Sequence, residues 1–215
     1  MKRFWLFLAT FLGLAIMAVP ASAAMQYTLN CTTVACSGGG SGNYGTVTLT
    51  DNSGVIHVNV ALASGYQFGA NNTAALLWNG LTNDTLVVSN LTSGFGSTGS
   101  NANGSYTAGT PFNASGAFDY KILRSNSAGS PAALSFDVTK TGGLTLANFA
   151  TVNDGGVYYF ATQIRTTSSA TLFYVASNLA GVKVPEPGTI TMSIAGLMGL
   201  VGFAVLQRRR KQVSA

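Results

Sequence analysis

Between residues 44 and 62 apolar and polar positions alternate. In Thr46-Val47-Thr48-Leu49-Thr50 every second residue is apolar. In the run from Val55 to Leu62, the residues Ile56, Val58, Val60 and Leu62 share one face. A period of two marks a half-buried strand. Asp51-Asn52-Ser53-Gly54 separates the runs, so the pattern predicts a β-hairpin. Phe118, Tyr120 and Ile122 alternate with Asp119 and Lys121, and Leu134, Phe136 and Val138 alternate with Ser135 and Asp137. Residues 74–78 and 85–91 flank Asn79-Gly80; residues 157–166 and 170–176 form a late pair joined by Thr167-Ser168-Ser169. Residues 140–143 and 153–156 read as turns. The count comes to roughly eight to ten strands, the number of a sandwich or jelly roll. The expected fold is all-β, a β-sandwich or jelly-roll-like body without a helix-period segment.

Two segments lack the alternation. Residues 37–43 read as a Gly/Ser linker. Residues 93–116 are rich in Gly, Ser, Thr, Asn and Ala, with Phe95, Tyr106 and Phe112 as the residues able to pack, and predict a mobile loop.

The two ends have a different pattern. Lys2 and Arg3 precede an uncharged apolar run, Phe4 to Val19, which Pro20 breaks ahead of Ala21-Ser22-Ala23. This order predicts a secretory signal over residues 1–23, with Ala21 and Ala23 as the small residues a signal peptidase accepts. Sec machinery and signal peptidase are the partners expected there. Residues 189–206 form a second uncharged apolar run. As a helix it would be about 27 Å long, enough for a bilayer core. Arg208, Arg209, Arg210 and Lys211 follow, a cluster that stays on the cytoplasmic side. The exported body expected between the ends covers residues 24–183.

Val184-Pro185-Glu186-Pro187-Gly188 stands just before the predicted span. Prolines at 185 and 187 remove two donors and favour extended backbone, so Glu186 is presented on a stalk. The triplet, the apolar run and the Arg cluster together, over residues 184–212, resemble the PEP-CTERM sorting signal of Gram-negative bacteria. The resemblance implies recognition near Pro185-Glu186-Pro187 by a membrane-embedded exosortase, in species that make exopolysaccharide. It implies a body held transiently at the inner membrane on the periplasmic side, then delivered to the outer surface or matrix. Such tails occur on unlike bodies, so the likeness concerns address. Residues 44–68 more loosely resemble the opening of body domains that carry these tails.

Charge sharpens the division. The chain of 215 residues has 11 basic and 6 acidic residues, a net charge of +5, but residues 24–184 carry five of each sign. The excess lies in the two ends, so the body offers no basic face for nucleic acid. Cys31 and Cys36 are the chain's two cysteines. In an oxidising compartment they predict a local disulfide, worth roughly 2 kcal/mol by loop closure. Two thiols and the single histidine, His57, fall short of a metal site, and no metal or other cofactor is expected.

Catalytic chemistry is equally sparse. Residues 24–184 contain no glutamate, so paired carboxylates would have to come from dispersed aspartates. Asp51 and Asp154 sit in turn sequences, and Asp119 and Asp137 on strand faces near Lys121 and Lys140. His57 reads as an exposed strand residue without partners. No catalytic residue is assigned, and the expected role is non-enzymatic: an exported surface or matrix protein associated with exopolysaccharide or biofilm. The alternative is a lectin-like carbohydrate-binding module using Trp78 and Tyr66. An ice-binding role, suggested by the row Thr46, Thr48 and Thr50, ranks below it.

Overall fold

The computed structural model describes residues 23–32, 41–70, 73–80, 86–96, 110–111, 117–125, 129, 131–153 and 156–184. They belong to one compact unit, Ala23–Val184. The predicted signal residues through 22, Cys36, most of the 93–116 loop, the span and the basic cluster lie outside the described residues.

The alternating runs become strands where expected. β1 (Ala24–Thr32), β2 (Ser41–Asn52) and β3 (Val55–Leu62) open the chain, followed by β4 (Tyr66–Phe68), β5 (Ala74–Trp78) and β6 (Val87–Ser89). The short β7 (Thr110–Pro111) and β8 (Ala117–Phe118) precede β9 (Tyr120–Leu123) and β10 (Ala133–Thr139). One 3-10 turn, Leu146–Phe149, comes before β11 (Phe160–Thr166), β12 (Leu172–Ser177) and β13 (Val182–Val184). The β2–β3 hairpin closes as the pattern predicts: the Gly54 N–H donates to Asp51 Oδ1 at 2.9 Å, and Thr48 faces Asn59. β11 and β12 form the late pair, with Ile164 opposite Phe173.

Several strand assignments go beyond the sequence reading, among them β4 and, inside the segment 93–116 expected to be a mobile loop, β7; Phe95 of that segment is buried and bridges Arg124. β1 is a central strand, pairing with β2 on one side and with β12 and β13 on the other. Its signal is present, since Tyr27, Leu29 and Cys31 are buried while Gln26 and Thr28 are exposed. Residues 41–43, read as linker, begin β2. β13 is a three-residue strand on the edge of β1.

The all-β expectation holds, but the layering differs from a two-sheet sandwich. Among the described residues one eleven-stranded sheet runs β6-β10-β3-β2-β1-β12-β11-β5-β9, with β13 and β4 paired off this path. The small β7–β8 ribbon is separate. The main sheet curls on itself. Trp78 of β5 and Phe136 of β10, near opposite ends of the strand order, have ring centroids 5.8 Å apart. The inward side chains of every second position therefore meet in the main core, including Leu29, Val47, Leu49, Val58, Leu76, Tyr120 and Ile164. Each such fully buried side chain contributes roughly 1.5–3 kcal/mol. Cys31, Leu77, Phe118, Tyr158, Ala161 and Ala176 form a second, smaller cluster. Among the described residues no helix is long and apolar enough to cross a membrane.

Candidate functional site

The side of the sheet opposite the core is where β10, β3, β2 and β1 meet solvent. Register fixes its composition. Ser135 pairs with Asn59, Asn59 with Thr48, and Thr48 with Gln26. One step along, Asp137 pairs with His57, His57 with Thr50, and Thr50 with Ala24. A third row runs through Ala133, Ala61, Thr46 and Thr28. Every residue in these rows is exposed or half-buried, while the intervening Val47, Leu49, Val58 and Phe136 are fully covered. Neighbouring strands lie about 4.8 Å apart, and same-face residues repeat about every 6.8 Å along a strand. The surface thus carries hydroxyls and amides at regular spacing, interrupted by Ala24, Ala61 and Ala133. Gln26 Nε2 donates to Thr48 Oγ1 at 3.4 Å, one of its few internal bonds.

The ionisable pair in the array is His57 with Asp137. The Leu62 N–H donates to Ala132 O, which makes His57 and Asp137 a non-hydrogen-bonded cross-strand pair, the kind whose side chains approach most closely. Nδ1 of His57 lies 2.6 Å from Oδ1 of Asp137. Asn90 Nδ2 donates to Oδ2 of the same carboxylate at 2.6 Å. These bonds, Asn90 first and His57 second, hold the Asp137 carboxyl below the usual carboxylate range. The expectation of a partnerless histidine is therefore corrected: the strand register supplies Asp137. Asn90 was missed because the sequence places it inside the expected 85–91 strand, whereas β6 ends at Ser89 and Asn90 follows it at φ +51°.

The two proposed carbohydrate contacts separate. Trp78 is 1% exposed, stacked on Tyr120 with centroids 5.5 Å apart and 17° between planes. A ring so enclosed offers no face to a sugar, so Trp78 is a core residue, and its assignment as a contact is withdrawn. Its strand is covered on both sides, by β9 and β11, and curling of the sheet closes over it. Tyr66 remains half-buried. With Tyr44 and Phe173 it forms an edge-to-face trio, at 5.4 Å from Tyr44 and 6.0 Å from Phe173.

Cys31 is 4% exposed, its Sγ 3.4 Å from the Ala176 carbonyl oxygen. Its expected partner lies outside the described residues, as do Ala21, Pro185, Glu186, Pro187, Arg208, Arg209, Arg210 and Lys211. Ala23 is exposed, and its carbonyl accepts the Asp51 N–H at 2.8 Å. Ala24 pairs with Val184, so the first and last strand residues of the unit are neighbours.

Residues 183–211 match the family model described as the PEP-CTERM protein-sorting motif. The C-terminal segment is a PEP-CTERM sorting motif. It marks the chain as an exported protein, anchored in a membrane by its tail before processing, and as an exosortase target. The PEP-CTERM match begins inside β13, at Lys183. No curated protein and no solved structure matches the chain.

Proposed function

We propose that the body is a non-enzymatic adhesive module that retains the processed protein in hydrated polysaccharide at the outer surface or in the extracellular matrix. The observation that carries the proposal is the array of Gln26, Thr28, Thr46, Thr48 and Asn59 on one solvent-facing side of the sheet. Hydroxyls and amides with few internal partners exchange hydrogen bonds with sugar hydroxyls and bridging water, each weakly and with little sequence of recognition. The zero formal charge of residues 24–184 removes long-range steering toward charged polymers, so retention depends on close contact. Before processing, the signal peptide would deliver the body to the periplasmic side. The apolar run 189–206 would hold it at the inner membrane, with Arg208 to Lys211 inside.

The test is retention of the processed protein on polysaccharide from its host, with and without Thr46→Val, Thr48→Val and Asn59→Ala together. About fivefold weaker retention is expected from three lost weak bonds in a multivalent face. Unchanged retention removes this face from the function.

A second reading rests on the aromatic trio. Tyr44, Tyr66 and Phe173 are each partly exposed and brace one another, which suits stacking on a sugar ring in a lectin-like site. A single sharp glycan-array response that Tyr66→Ala abolishes would favour this site over the broad face.

A further inference from the structure

β13 is an edge strand, and the direction of its outer hydrogen-bonding groups follows from register. The Asp51 N–H donates to Ala23 O, so odd residues at the start of β1 bond toward β2 and even ones face β13. Ala24 and Gln26 therefore bond Val184 and Val182. Lys183, opposite Met25, turns its N–H and C=O outward. Among the described residues no strand covers that side of β13. The edge is also apolar, with Val182 70% exposed and Leu179 60% exposed. The PEP-CTERM match starts at Lys183, and the chain passes from Val184 straight into Pro185-Glu186-Pro187. A peptidase reading the triplet must come within two residues of this open edge.

We propose that the sorting peptidase docks on the folded body by adding a strand to the outer edge of β13, through the outward N–H and C=O of Lys183. Main-chain pairing of this kind supplies affinity without reading side chains. It also fixes the direction of the chain entering the peptidase, because β13 is held on β1. The lysine side chain blunts the same edge against pairing with other copies. The inference rests on the reading that the tail is processed.

Lys183→Pro removes the outward donor and leaves the bonds to β1 intact, since proline is tolerated where its nitrogen faces away from the ladder. In the full-length precursor, expressed in an exosortase-bearing host, it should slow loss of the full-length form about fivefold. Lys183→Ala should process within about twofold of wild type, given the weak worth of one exposed charge. Gly181→Val leaves the matched segment untouched but crowds β13 off β1, because a Cβ at 181 would lie 2.5 Å from Met25 Cγ and 2.6 Å from Tyr27 Cζ. Slower processing of this variant supports a docked platform; faster processing shows that the peptidase needs β13 peeled away and overturns the proposal. Lys183→Pro processed at the wild-type rate overturns it as well. Glu186→Ala separates the two levels. If it blocks processing while Lys183→Pro does not, only the strand-edge inference fails; if it too is processed normally, the sorting reading fails.

Discussion

His57 donates from Nδ1 to Oδ1 of Asp137 across the β3–β10 pair at 2.6 Å, and so ties the second and third strands of the sheet on their solvent side. An ionised carboxylate only accepts, so the proton of this bond lies on Nδ1. The Asp137 side chain is 19% exposed and that of His57 39%, which moderates the bond by solvent screening. Asp137→Ala should lower unfolding free energy by about 1 kcal/mol near neutral pH. The pH dependence follows from the depressed carboxyl. Its contribution is complete above the unfolded carboxylate range, near pH 4, and is lost as pH falls through the lower folded value. Urea melts of wild type and Asp137→Asn should therefore differ at pH 5, and the gap should shrink as pH falls below the unfolded carboxylate value near 4. A constant gap across that range would detach the pair from stability.

Tyr27 gives the alkaline counterpart. Its ring is 1% exposed, edge-on to Phe160 at 4.7 Å, and its hydroxyl donates to Met25 Sδ at 3.0 Å. Burial, with Tyr159 adding to it, pushes the phenol up to about 12. The neutral phenol stabilises the fold fully below the unfolded tyrosine value near 10, and that contribution is lost as pH rises through the folded value. Ultraviolet titration should show a late fraction of the tyrosine signal, and Tyr27→Phe should shrink it. If Tyr27→Phe leaves that late fraction unchanged, the burial argument for Tyr27 is wrong.

What could be read from the chain depended on how local the signal was. The β2–β3 hairpin was legible because Val47 and Leu49 alternate before a four-residue turn and Ile56, Val58 and Val60 after it. β10 was legible for the same reason in Leu134, Phe136 and Val138. β1 alternates too, in Tyr27, Leu29 and Cys31, but a Gly/Ser-rich stretch rather than a tight turn separates it from β2 and its register shifts between Leu29 and Cys31, so no local signal marks its pairing. The burial of Trp78 is not local: Tyr120, 42 positions away, stands opposite it on the paired strand β9, and Phe136, 58 positions away, is brought to it by the curl of the sheet. The His57–Asp137 bond needed register between strands 80 residues apart, which no local pattern encodes. The sorting tail was legible in full because its chemistry is linear: a proline-bracketed carboxylate, an apolar run and a cation cluster in sequence.

Gly45 should be the least replaceable residue of the hairpin. It stands at φ +150° beside the register shift between Leu29 and Cys31. A Cβ there would lie 2.5 Å from the Ala61 carbonyl oxygen and 2.9 Å from Leu62 Cα, both backbone atoms of β3. Gly45→Ala should cost about 2–3 kcal/mol, against about 1 kcal/mol for Gly142→Ala, where φ is +88° but nothing lies within 4 Å. Thermal unfolding of both variants checks the ranking, and an equal loss would show that backbone strain, not contact with β3, sets the cost.

Cys31, the last but one residue of β1, lies on a buried face and is 4% exposed. A bridge to Cys36 would form during folding, in the exported compartment, and would close the chain between β1 and β2. Alkylation followed by mass measurement on protein from its host should find both thiols blocked before reduction and two labels after it. Labelling of both without reductant would refute the bridge.

Glu186 is the one charge between Lys183 and Arg208, so it is the residue that can give the sorting peptidase a charge-based specificity contact. Val184 is the last strand residue, paired with Ala24, and the recognised triplet begins at the next position. Prolines on both sides of Glu186 disfavour helix and remove donors that would otherwise seek partners, which lowers the entropy cost of binding an extended chain. The signal, the apolar run and the cation cluster are all untouched by a change at 186. Glu186→Ala should therefore be exported and inserted like wild type, yet accumulate as the full-length anchored form. Glu186→Asp, which keeps the charge on a shorter arm, should recover part of the processing. Fractionation and size of the product in an exosortase-bearing host measure all three. Release of Glu186→Ala at the wild-type rate would reduce the triplet to a linker and leave the apolar run and the cations as the whole of the sorting signal.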